Sequence, residues 1–202
     1  MVVNQNKNLT ILLANDAVLH SIFQKFGAPV IQVREPGFAS LCHIILEQQV
    51  SIASAKACYQ KLEMNFGTLT PFNIYNGTEE AFKNCGVSRQ KITYLKDLAF
   101  RILENTLDLE SLSSQSESAI RATLSQVKGI GNWSIDVYLM FCLQHEDLIP
   151  LGDIAIKNTI KALYNVEAPV SQQQLSENWK PYRSLASFLL WHYYIEKRKA
   201  VK

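Results

Sequence analysis

The sequence predicts an all-α protein. Helical periodicity recurs along the chain, strand signals are nearly absent, and prolines and glycines divide the 202 residues into pieces of helix length. No alternating Val/Ile/Thr run of useful length occurs. Asn76-Gly77, a dipeptide that could close a β-hairpin, lies between helical stretches and reads as a turn. Breaks fall at Pro29, Pro36-Gly37, Pro71, Gly77, Gly86, Gly129, Gly131, Pro150, Gly152 and Pro169. The expected architecture is about ten short helices joined by tight turns.

Along the chain, residues 10–26 place Leu12, Leu13, Leu19, Ile22, Phe23 and Phe26 at spacings near three and four. Residues 38–47 do the same with Phe38, Leu41, Ile45 and Leu46. Ser51 can cap a helix that runs to Phe66 and ends at Gly67. Ser88 can cap the next, with Ile92, Leu95, Leu98 and Ala99 on one face. Ser116 or its neighbours start a short helix ending before Lys128, and further helices fit 132–144, 154–164, 172–178 and 182–197.

Composition narrows the class of protein. A hydrophobic content of 48% with 19% charged residues describes a folded chain with a core of its own. No stretch approaches the roughly 20 apolar residues of a membrane span. No charged start followed by an apolar run marks a secretory leader, so a cytoplasmic or nuclear location is expected. Cys42, Cys58, Cys85 and Cys142 are too far apart in sequence to suggest a zinc or iron–sulfur site and read as buried, reduced thiols. No metal or cofactor is expected. The net charge is only +2, but residues 83–96 carry Lys83, Arg89, Lys91 and Lys96 with no acid. A neutral total can therefore contain a basic face.

Between Leu124 and Ser134 a helix stops, two glycines flank Ile130, and a second helix begins. Gly129 and Gly131 allow positive φ and a close approach of phosphate to the backbone. The amides that open the second helix, up to Ser134, form an anion site with the helix dipole. Lys128 can add a cation, and Ile130 can turn inward to pin the hairpin. Such a hairpin grips DNA by its backbone without reading sequence, although glycines can equally serve a tight turn alone. The following helix, 132–144, is apolar nearly all round with Asp136 as its one charge, and so should be buried on most sides. A loop then leads to Asp153 at the N-cap position of the helix with Ile156, Ile160 and Leu163 inward. Asp is a preferred N-cap on structural grounds. An N-cap also suits a catalytic carboxylate, because the amides hold it ionised and fix its direction.

Leu124 through Asp153 resembles the helix-hairpin-helix motif, the Gly/Pro-rich loop and the Asp of the helix-hairpin-helix DNA glycosylase superfamily, with the closest likeness to DNA-3-methyladenine glycosylase II enzymes. Three other stretches agree, in the family's order. Ile45-Leu46-Glu47-Gln48-Gln49-Val50-Ser51 looks like the loop that pushes into the DNA gap. Gly86-Val87-Ser88-Arg89-Gln90-Lys91-Ile92-Thr93-Tyr94-Leu95 resembles the G-x-S-x-x-K-x-x-Y-L segment. Trp179-Lys180-Pro181-Tyr182-Arg183-Ser184 resembles the late W-x-P-W/Y-R-S segment. The resemblance implies two helical lobes with a central cleft, about 45–145 forming one and about 1–44 with 146–202 the other, within a single compact unit. It implies Asp153 as the catalytic carboxylate and a hydrolase that removes alkylated purines from double-stranded DNA as a monomer. Where strand-cutting relatives have a lysine nucleophile this chain has Trp133, which implies a monofunctional enzyme.

Gln49 is the best single wedge residue, or else a polar loop residue. Trp133 and Trp191 are base-pocket residues or core filler. Tyr138 is a further pocket residue if its side of the helix faces inward to the base, and Lys157, one turn past Asp153, can touch phosphate. A glycosylase for mispaired or deaminated bases, or a DNA-binding module without catalysis, would share the hairpin.

Overall fold

The computed structural model describes residues 7–200, among which every regular element is helical. The chain forms two compact units, residues 34–138 and the residues up to 33 together with those from 139 onward.

The 34–138 unit holds α3 (Phe38–Glu47), α4 (Ile52–Phe66), α5 (Pro71–Asn76), α6 (Glu79–Asn84), α7 (Arg89–Leu103), a 3-10 turn (Glu110–Ser114), α8 (Glu117–Leu124) and most of α9 (Asn132–Phe141). Side-chain caps start most of these helices. Ser51 accepts from the Ser54 amide, Thr70 from Asn73, Thr78 from Ala81, Ser88 from Lys91 and Ser116 from Ala119. Each such cap stabilises its helix by about 1 kcal/mol. α7 is central to this unit and packs against α3, α5 and α6. The stretch Ser134–Met140 of α9 is buried at every position. Its one charge, Asp136, is met by Arg121, whose Nη2 lies 2.6 Å from Oδ1. Burial pushes the Asp136 carboxyl above its ordinary range despite that partner.

The other unit holds α1 (Lys7–Asn15), α2 (Ala17–Phe26), α10 (Ile154–Tyr164), α11 (Pro169–Glu177) and α12 (Arg183–Lys199). α12 packs against α2 and α10, and its stretch Ser184–Leu190 is wholly buried. Asp16 ties this unit together. Its carboxylate caps α2 through the Val18 and Leu19 amides and also accepts the Tyr164 hydroxyl and, at 2.8 Å, the Trp179 indole N–H. Burial and the Asp16 charge both push the Tyr164 hydroxyl pKa up.

Three local expectations are corrected and two helices are added. The periodic stretch 10–26 is two helices, because Asp16 leaves the helical conformation to cap the second. α5 and α6 are too short to show periodicity and were not foreseen. The helix expected to 144 ends at Phe141, and Gln144 takes a left-handed conformation at φ 56°. Cys42, Cys85 and Cys142 are buried as expected, but Cys58 is only half-buried.

Candidate active site

In the hairpin the two glycines have different surroundings. Ile130 is buried at 4% exposure and anchors the turn. Gly129 has φ +80°, and a Cβ added there would overlap the Tyr94 ring. Gly131 has no such φ, and a Cβ there would meet nothing within 4 Å. Of the two glycines, only Gly131 thus leaves open space where a side chain would stand. At Gly129 the obstacle is the protein itself. The first helical bond of α9 runs from the Ile135 amide to the Gly131 carbonyl at 3.1 Å. The amides of Asn132 and Ser134 lie ahead of it, at the positive end of the helix dipole.

α7 supports this turn from one face. Tyr94 lies under Gly129, and one turn further on Asp97 Oδ2 accepts the Lys128 amide at 2.9 Å. Burial alone would raise the Asp97 pKa, but the Lys128 amide and Arg101 outweigh it and hold the carboxyl below its ordinary range. The Lys128 ammonium stands 3.7 Å from Asp97 Oδ1 and is 66% exposed, so it remains open to a second anion. Lys91, a turn earlier, donates to the Leu46 carbonyl at 2.7 Å and closes the last turn of α3. That turn leads into Gln48 and Gln49. Gln49 is exposed with φ 56°, a conformation that non-glycine residues adopt rarely. Gln48 points the other way: its Nε2 donates to the Gly129 carbonyl at 2.8 Å and to Ser134 Oγ at 3.0 Å.

Two expected site residues are corrected. The Ser134 hydroxyl is 2% exposed and accepts Gln48 Nε2, so its side chain faces the protein and only its position at the start of α9 remains relevant to phosphate. Tyr138 is fully buried, with its hydroxyl accepting the Gly37 amide at 3.1 Å. A ring with no exposed surface is core, and Tyr138 is not carried forward as a pocket residue. Trp133, in the first turn of α9, keeps part of its surface open.

In the other unit, Asp153 is the N-cap of α10. Its Oδ1 accepts the Ala155 amide at 2.8 Å and the Ile156 amide at 3.1 Å, which fixes the plane of the carboxylate. The loop before it is fastened to the start of α12. Arg183 Nε and Nη2 donate to the two carboxylate oxygens of Asp147 at 2.7 and 2.9 Å. Ser184 Oγ accepts the Leu148 amide at 3.1 Å and donates to the His145 carbonyl at 2.6 Å. The Trp-x-Pro-Tyr-Arg-Ser segment thus has a mechanical reason: Trp179 reaches Asp16, and Arg183 and Ser184 hold the loop that delivers Asp153. Burial raises the Asp147 pKa, but the paired Arg183 guanidinium outweighs it and holds the carboxyl low. Trp191 is half-buried, with its ring centroid 5.7 Å from Phe141 and 6.0 Å from Phe188. Lys157 is exposed in the first turn of α10.

Sequence reasoning picked out Asp153, Gln49, Lys128 and the glycines, but not Gln48, Tyr94, Asp97, Arg183 or Asp147 as supports. The signal lay in the segments around 86–95 and 179–184, whose residue types had been noticed without their contacts.

In chain order these features are a glycine hairpin that opens a helix, a loop, and a carboxylate held by two amides. Residues 42–183 match the model of the HhH-GPD superfamily of base excision DNA repair proteins, and the chain belongs to that family. It is 29% identical over 168 residues to DNA-3-methyladenine glycosylase 1 of Schizosaccharomyces pombe, covering 80% of this chain and 73% of that one. It is 26% identical to YfjP of Bacillus subtilis over 86% of its own length, but it spans only 64% of that relative. The crystal structure of a Bacillus halodurans DNA-3-methyladenine glycosidase superposes with a TM-score of 0.79 at 25% identity, covering 98% of this chain and 94% of that one.

Proposed function

We propose that this chain is a monofunctional DNA glycosylase that hydrolyses the N-glycosidic bond of alkylated purines in duplex DNA. The observation that carries the reading is Asp153, a carboxylate held at the head of α10 by two amides, on a chain whose family repairs DNA bases. Relatives named for 3-methyladenine support the substrate class.

The chemistry follows from the charge of the substrate. A 3- or 7-methylated purine already carries a positive ring. When the bond from C1′ to the base nitrogen breaks, its electron pair neutralises that ring, so no general acid is required. The sugar becomes cationic and is stabilised by the Asp153 carboxylate. Water adds at C1′ and loses a proton, leaving an abasic sugar in an intact strand. One carboxylate serves here, where ordinary glycosidases need two.

The remaining residues divide the other tasks. The amides at the start of α9, with Gly131 and Lys128, bind a backbone phosphate, and Lys157 adds a second contact. Gln49 fills the gap left when the damaged nucleotide turns out of the stack. Trp133 and Trp191 each offer an aromatic face that suits a cationic base, such a contact contributing about 0.5–2 kcal/mol. The test is release of free base from methylated duplex DNA, with uracil-containing duplex beside it. Release of 3-methyladenine or 7-methylguanine is expected. Uracil released faster than every alkylated purine would shift the reading to a glycosylase for deaminated bases, and release of no base at all would leave a DNA-binding module.

A further inference from the structure

We propose that Gln48 is a positioning residue that locks the wedge turn to the phosphate-binding hairpin, so that Gln49 enters the duplex at a fixed distance from the phosphate the hairpin holds. This deepens the glycosylase reading and rests on it. Both protons of the Gln48 side-chain amide are used on the hairpin. One goes to the Gly129 carbonyl, in the loop, and the other to the Ser134 hydroxyl, in the first turn of α9. These partners lie 81 and 86 residues away in sequence, so nothing local requires the bonds.

The neighbouring residue makes the arrangement more than a structural tie. Gln49 is exposed and sits in the left-handed region at φ 56°, which side-chain-bearing residues adopt rarely. Such a conformation persists where the surroundings over-determine it. Here they do so from two sides: Gln48 pulls toward the hairpin, and Lys91 holds the Leu46 carbonyl two residues earlier. Lys91 and Tyr94 are on the same helix, α7, and Tyr94 supports Gly129. The tip residue and the phosphate grip thus share one foundation within the 34–138 unit. Removing the Gln48 amide leaves both parts present but frees their spacing.

The test uses a duplex with 2-aminopurine opposite a tetrahydrofuran abasic mimic, which holds no base to release and so reports wedge insertion whatever the lesion spectrum. Fluorescence on binding, affinity and melting are measured for the wild-type chain, Gln48→Leu, Gln49→Ala and the double variant. Wild type is expected to change the signal, and Gln49→Ala to lose most of the change. Gln48→Leu should lose at least half of it while affinity falls less than about threefold. In the Gln49→Ala background the second substitution should add nothing, because Gln48 acts through Gln49. Full signal in Gln48→Leu, an effect that adds in full to that of Gln49→Ala, or a wild-type chain that binds without moving the signal would each overturn the proposal. If Gln48→Leu does not fold, Ser134→Ala removes one of the two acceptors, and a partial loss is expected from it; an unchanged signal there overturns the proposal equally. Failure to release alkylated bases would instead count against the glycosylase reading, independently of this fluorescence result.

Discussion

Replacing each hairpin glycine by alanine separates folding from DNA grip. At Gly129 alanine meets two penalties. The φ of +80° costs an L-residue about 1–2 kcal/mol. The new methyl overlaps the Tyr94 ring, whose hydroxyl is held by Gln90 Nε2, and such overpacking typically adds about 1–3 kcal/mol. A total on the order of 3 kcal/mol corresponds to a melting temperature lower by roughly 6–12 °C in a chain of this size. At Gly131 neither penalty applies; the loss is that of a glycine N-cap, no more than about 1 kcal/mol. Its methyl occupies open surface beside the first-turn amides, where a phosphate would sit, so DNA affinity should fall on the order of tenfold on all sequences alike. Scanning calorimetry and fluorescence anisotropy at fixed salt measure the two effects. Adding Tyr94→Ala to Gly129→Ala should recover the part of the loss due to overlap. The reasoning is refuted if Gly129→Ala melts within about 2 °C of wild type, or if the folded Gly131→Ala binds DNA as well as wild type.

Borohydride trapping on alkylated duplex should give no covalent complex and no nick, because Trp133 has no amine to form a Schiff base; a cross-linked band would contradict this. Trp191→Ala should slow release of cationic purines by about 2- to 30-fold, the range of one lost cation–π contact, and slow neutral hypoxanthine less, as single-turnover rates can decide. The Asp147 carboxyl is depressed in the folded state, so the stability it contributes is complete above the ordinary Asp pKa near 3.9 and is lost as pH falls through the lower folded value. Arg183→Gln should therefore melt below wild type at neutral pH, with the difference shrinking once the pH drops below about 4; a gap that widens toward acid would be wrong in sign.

What could be read in the sequence was local. Ser51, Ser88, Ser116 and Asp153 cap their helices as expected, because a cap needs only the residues three positions ahead. Asp16 caps α2 by the same chemistry, yet the apolar spacing continues across it and concealed the break. Its further partners, Tyr164 and Trp179, are 148 and 163 residues away, beyond any periodicity. Gln48 stood in a segment already singled out, but its bonds to Gly129 and Ser134 depend on how α3 and the hairpin meet. The side on which Tyr138 lies was left open for a different reason: α9 is buried all round from Ser134 to Met140, so its spacing names no special face. The two hairpin glycines looked alike in sequence because the ring that distinguishes them, Tyr94, comes from another helix.

The most direct measurement is single-turnover release of 3-methyladenine from duplex DNA by wild type and Asp153→Asn, with affinity for the same duplex measured in parallel. Asparagine keeps an oxygen to accept the Ala155 and Ile156 amides, so the start of α10 and DNA binding should survive. The charge opposite the cationic sugar is lost, and the rate should fall on the order of a hundredfold or more. A variant that binds DNA normally and retains a third of the wild-type rate would remove Asp153 from the mechanism.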